Sequence, residues 1–216
     1  SDVYKRQVQV ASLLAMSFEN LGASGSVVIE DPDAVADDTL VYDGTGSDDT
    51  FDVSGAAILS LNSQIPVDVS GDVATLRLDG LAGDDTFNVA TGHGIGTVNL
   101  VGGGPSASDV ATLTGDGANA VTVTLGTSPV STTEATVVNT GLGTVTLSGV
   151  EVANVVSGAQ DVTVNGSAED DDLTYQPTGG DAGTVTKAGF GVVTKIHQLA
   201  IMQLTKGDRQ HRAEPQ

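Results

Sequence analysis

Asp43-Gly44-Thr45-Gly46-Ser47-Asp48-Asp49-Thr50-Phe51-Asp52-Val53 returns 36 residues later as Asp79-Gly80-Leu81-Ala82-Gly83-Asp84-Asp85-Thr86-Phe87-Asn88-Val89, with seven of the eleven positions identical. Self-similarity at a period of a few tens of residues is the mark of stacked repeats, each too small to bury its own apolar face. A second echo runs at an offset of 133. Ser24-Gly25 returns as Ser157-Gly158, Asp37-Asp38 as Asp170-Asp171, Leu40 as Leu173, Tyr42 as Tyr175, Thr45-Gly46 as Thr178-Gly179, and Asp48 as Asp181. The chain therefore reads as slightly more than one pass of a long repeat with shorter units inside it.

Between the repeated loops, apolar residues alternate with polar ones. Val67-Asp68-Val69, Leu76-Arg77-Leu78, Val98-Asn99-Leu100, Val121-Thr122-Val123-Thr124-Leu125, Val145-Thr146-Leu147 and Val162-Thr163-Val164 each have period two. Each is short and is bounded by Gly, Asn, Asp or Ser, the pattern of half-buried strands between turns. The best helix candidate is Ile196 to Leu204. The fold class expected is all-β, a β-solenoid (parallel β-helix-like) repeat array, with β-sandwich repeats as the alternative. Units as short as 36 residues cannot close a sandwich alone, which favours the solenoid.

Composition supports strands and narrows the partners. The 216 residues carry 28 Asp+Glu against 8 Lys+Arg, a net charge of −20, and they include 28 Gly, no Cys and no Trp. Arg77 is the only base between residues 7 and 186. A field this negative repels phosphates and anionic lipid, so no nucleic-acid partner and no membrane insertion are expected. Without Cys there is no disulfide framework and no thiolate metal site.

Three regions are expected. Residues 1–7 (Ser1-Asp2-Val3-Tyr4-Lys5-Arg6-Gln7) resemble translated adapter sequence and form a non-native leader. Residues 8–195 are the β repeat region, a fragment of a longer array. Residues 196–216 start a further repeat or form a loose tail. A signal peptide with Val8 to Met16 as its apolar run is the weaker reading of the front, since Gln9 and Ser12 interrupt it.

Gly80-Leu81-Ala82-Gly83-Asp84-Asp85-Thr86-Phe87 resembles the nonapeptide of the RTX, or haemolysin-type calcium-binding, repeats: Gly-Gly-x-Gly-x-Asp-x-apolar-x. Gly44 to Phe51 is a looser copy. The resemblance covers two short stretches, and no tandem nonapeptide follows, since Thr91-Gly92-His93-Gly94-Ile95-Gly96 carries no acid. It implies calcium as the cofactor, with Asp85 as ligand, Asp49 as its counterpart, and Asp84 and Asp48 at variable positions. One loop would be half a site, since calcium takes 6–8 oxygens. Read from the residues alone, Asp-Asp-Thr equally makes an Asx-type turn with solvated carboxylates. Asp170, Asp171 and Asp172, after Glu169, form the densest acidic run and are candidates for weak divalent binding.

Other motifs give less. Asp31, Asp33, Asp37 and Asp38 lack the Gly and Glu of an EF-hand loop. Gly102 to Asp109 reads as a degenerate copy of the acidic turn, with an insertion carrying Asp109 into a strand. His93 reads as a turn-exposed histidine. No nucleophile or phosphate-loop motif is present, and the chain is not expected to be an enzyme. A β-helix lyase or hydrolase would have only Arg77 as its base.

The function expected is a structural repeat segment of a secreted or cell-surface bacterial protein, calcium-stabilised through its Asp-rich turns. Its partners would be divalent cations and cell-surface or extracellular matrix components. The alternative is an adhesion or carbohydrate-binding module, against which the scarcity of aromatics counts.

Overall fold

The structure, a computed structural model, describes residues 6–8, 16–18, 21, 25–29, 38–69, 73–104, 108–126, 134–188, 193–197 and 202–205. Most of the leader 1–7, the apolar run between Val8 and Met16 apart from those two ends, Asp31, Asp33, Asp37, His211 and most of 196–216 lie outside them. Among the described residues the chain is all-β and has no helix. β1 (Arg6–Val8) and β2 (Met16–Phe18) pair antiparallel with each other. All other strands belong to two sheets, of eight and ten strands.

From β3 (Val27–Val28) onward the chain moves between the two sheets. β4 (Thr39–Asp43) belongs to the eight-stranded sheet, and β5 (Thr50–Val53) to the ten-stranded one. β6 (Ile58–Leu61) and β7 (Val67–Asp68) fold back beside β5, and β8 (Thr75–Asp79) returns to the first sheet. The next pass is β8 to β9 (Thr86–Val89), and the one after it β10 (Thr97–Val101) to β11 (Val110–Thr114). β12 (Val121–Leu125), β13 (Ala135–Asn139) and β14 (Gly143–Ser148) form an antiparallel meander in the first sheet. β15 (Val152–Val156) and β16 (Val162–Asn165) follow. β17 (Leu173–Pro177), β18 (Gly183–Lys187) and β19 (Val193–His197) then form a meander in the second sheet, before β20 (Met202–Thr205).

Like strands stack in parallel and in register. Thr39 pairs with Thr75, and Thr50 with Thr86, so the 36-residue repeat is one full pass. The pass from Thr75 to Thr97 is shorter because it carries no meander. This mostly parallel two-sheet arrangement is compatible with a β-solenoid. The offset-133 echo, by contrast, does not mark equivalent places. Leu40 and Tyr42 lie on β4, parallel to β8, whereas Leu173 and Tyr175 lie on β17, antiparallel to β18 and in the other sheet. The likeness is that of two strands that each follow a pair of aspartates in the sequence.

The three meanders share one topology. Each first strand lies far along the stack, and each third strand returns to pair in parallel with the preceding pass: β7 with β3, β14 with β10, and β19 with β15. Two antiparallel strands are thereby inserted without breaking the parallel order.

One core lies between the sheets. On one side Phe51, Phe87, Ala111 and Ala153 follow one another in register, and on the other Leu76, Val98, Val145, Val137, Val123 and Val164 do so. All are buried in a single cluster, each larger aliphatic adding about 1.5–3 kcal/mol of transfer free energy. The small, β-branched residues suit a layered core of this kind.

The helix candidate Ile196–Leu204 is overturned: its two ends are strands, β19 and β20. A short apolar segment has no decisive period of its own. Parallel pairing to β15 and β16 supplies the backbone partners that a lone helix would have to make internally.

Candidate functional site

The acidic residues gather on one edge, at the turns leading from the eight-stranded to the ten-stranded sheet. Extending the alternation back from Phe51 and Phe87 turns Asp49 and Asp85 inward, and both are buried. Asp48 and Asp84 point outward and are exposed. Glycine makes room for the inner carboxylates. A β-carbon on Gly80 would collide with Asp85 Oδ2 and the Gly102 carbonyl, and one on Gly44 with Asp49 Oδ2. Gly102 stands in the same relation to Asp109, and Gly166 to Asp171.

The inner acids form a chain of hydrogen bonds from pass to pass. The Asp49 N–H donates to Asp85 Oδ1 (2.9 Å), the Asp85 N–H to Asp109 Oδ1 (2.7 Å), and the Asp109 N–H to Glu151 Oε2 (2.8 Å). Outside it, the Asp84 N–H donates to Asp48 Oδ1 at 2.9 Å. Asp49 Oδ2 accepts from the Thr45 N–H (2.6 Å) and hydroxyl (3.0 Å), and its Oδ1 from Asn62 Nδ2 (2.5 Å). Asp109 and Glu151 were not among the candidates from sequence. The Gly102–Asp109 turn hinted at the first, but nothing local marked the second.

Asp85 sits at the middle of the stack. Its Oδ2 is buried with no hydrogen-bond partner among the described residues. Burial pushes its carboxyl up to about 6; the Asp49 N–H opposes this, while the charges of Asp109, Asp49 and Asp48 reinforce it. The folded chain thus binds this proton more tightly than the unfolded chain does. The stability it carries is complete below pH 3.8 and is lost as pH rises through about 6. Asp85→Asn removes the charge at all pH values. Its unfolding midpoint should therefore exceed that of the wild type at pH 8, and the gap should narrow through pH 6 and close only below pH 3.8. A difference independent of pH would contradict this.

The Asp170–Asp172 run splits in the same way. Asp170 and Asp172 are exposed, while Asp171 is buried against Lys187, with Nζ 2.6 Å from its Oδ1. Ser167 Oγ donates to Asp171 Oδ1 (2.8 Å), and Lys187 Nζ also reaches Ser167 Oγ and the Gly126 carbonyl, each at 2.9 Å. Burial alone would raise the Asp171 carboxyl, but the bonds from Lys187 and Ser167 and the ammonium charge hold it below the usual range.

A third acidic turn, on the opposite edge, was not singled out from sequence. Asp116 accepts from the side chain and N–H of Asn119 and from the Ala118 N–H, which hold its carboxyl well below the usual range. Asn139, buried, lies against it: the Asp116 N–H donates to Asn139 Oδ1 (3.2 Å), and Asn139 Nδ2 to Asp116 Oδ1 (3.3 Å).

These residues do not fit the calcium site that the RTX resemblance implies. Among the described residues no three acidic or histidine side chains converge where one cation could take them together. Each inner carboxylate instead has at least one oxygen taken by an N–H, hydroxyl or ammonium donor.

Comparison with known proteins finds no relative: no family model, no curated protein and no solved structure matches the chain.

Two further residues complete the picture. His93 is not turn-exposed but buried: its Nδ1 accepts the Ile95 N–H at 3.0 Å, and burial lowers its pKa. Arg77 lies on β8 and bonds Asp79 Oδ2, with its Nη2 at 2.6 Å.

Proposed function

We propose that the chain is a structural repeat segment, a β-solenoid of a secreted or cell-surface protein that acts as a stiff acidic spacer. The observation supporting this most is the register of the 36-residue repeat: Asp43 over Asp79 in one sheet and Phe51 over Phe87 in the other, around one shared core. Rows stacked in this way add length at about 4.8 Å each and can be extended by more passes of the same kind. The exposed carboxylates of Asp48, Asp84, Asp170 and Asp172 face outward, where extracellular cations screen their repulsion.

Small-angle X-ray scattering of the full chain tests the reading. The expected pair-distance distribution is skewed, with a long tail along the stacking direction. A symmetric, globular distribution would overturn it, and binding above background on a glycan array would move the assignment to adhesion.

A further inference from the structure

We propose that the turn aspartates register the rows of the stack as hydrogen-bond acceptors, and that they need no cation to do so. The donor depends on what lies alongside. Where the neighbouring row is another parallel pass, the donor is its backbone N–H, as from Asp49 to Asp85 and from Asp85 to Asp109. Where the neighbouring row is the second strand of a meander, the backbone runs the other way. A side-chain nitrogen then takes its place.

This substitution recurs in all three meanders at the same position, the end of the second strand. Asn62, directly after β6, donates to Asp49 in the turn before β5. Asn139, the last residue of β13, donates to Asp116 in the turn before β12. Lys187, the last residue of β18, donates to Asp171 in the turn before β17. Two of these ends are also sewn by backbone: the Asn62 N–H bonds the Thr50 carbonyl, and the Ala188 N–H the Asp172 carbonyl. Three residues in unrelated local sequences thus perform one task, tying an antiparallel insertion to the acidic turn beside it.

The functional consequence is that calcium supply does not switch folding. Each acid takes a protein donor on at least one oxygen, so the chain folds where divalent cations are scarce as readily as where they abound. This goes beyond the spacer reading, which holds for either mode of folding.

The test uses the full chain in EDTA at pH 7.5. Asp85→Asn keeps an acceptor for the Asp49 N–H and removes the charge, whereas Asp85→Ala removes both. Asp85→Asn should melt no lower than the wild type and keep the Asp49 amide protected from hydrogen exchange. Asp85→Ala should lose about tenfold of that protection, one hydrogen bond's worth. Should Asp85→Ala fail to fold, Asn62→Ala tests the bond to Asp49 in the same way, with exchange faster in β6 and unchanged in β8. Equal losses in Asp85→Asn and Asp85→Ala would overturn the proposal. So would a melting temperature of EDTA-treated wild type that rises on adding calcium but not magnesium.

Discussion

Replacing Lys187 with methionine is expected to destabilise the folded chain by about 3–5 kcal/mol, the usual result of removing one partner from a buried ion pair. The Lys187 side chain is 7% exposed and that of Asp171 fully buried, so water cannot take over the lost interaction. Methionine fills the apolar part of the lysine volume but leaves a carboxylate facing Ser167 alone, with Oδ2 already lacking a partner among the described residues. The loss should therefore be mainly electrostatic, and Lys187→Met/Asp171→Asn should recover a good part of it. Urea unfolding of the two variants measures both quantities. A loss below about 1 kcal/mol, the size typical of exposed pairs, would show that water reaches the pair.

Phe87→Ala should have a comparable effect, about 3–5 kcal/mol, through the cavity left in a core that cannot collapse around it. Phe87 is fully buried, and its ring stacks on that of Phe51 with centroids 5.1 Å apart and planes 11° from parallel. Tyr42 meets Phe51 edge-on at 6.0 Å. The stack is a direct result of the 36-residue period, because only in-register passes bring the two phenylalanines together. A double-mutant cycle over Phe51→Ala and Phe87→Ala should give a coupling of about 0.5–1.5 kcal/mol beyond simple burial. Strictly additive losses would mean that the rings are not stacked and that the passes are out of register.

Much of this was legible in the order of residues. The alternating segments from Leu76-Arg77-Leu78 to Val162-Thr163-Val164 are strands with their apolar residues inside, because a pleated strand sends neighbouring side chains to opposite faces. The same rule, carried two residues back from Phe51 and Phe87, places Asp49 and Asp85 inside. The family resemblance drew attention to their oxygens as ligands and away from that parity. His93 was misjudged for a related reason: a glycine-rich turn suggests exposure, yet whether its one large ring faces water depends on the path of the turn over the core.

By itself, then, the sequence determined the strands, the turns and the 36-residue pass, since these depend on periodicity and on residues close along the chain. The tertiary structure alone decided which carboxylates meet which donors. Asp85 finds its partners in passes 36 residues before it and 24 after it, and Glu151 reaches Asp109 across 42. Asn62, Asn139 and Lys187 look unrelated along the chain and become equivalent only when each meander folds back. Buried polar groups take whatever donor the packed neighbour presents, and that neighbour is fixed by the stacking of rows rather than by any local pattern.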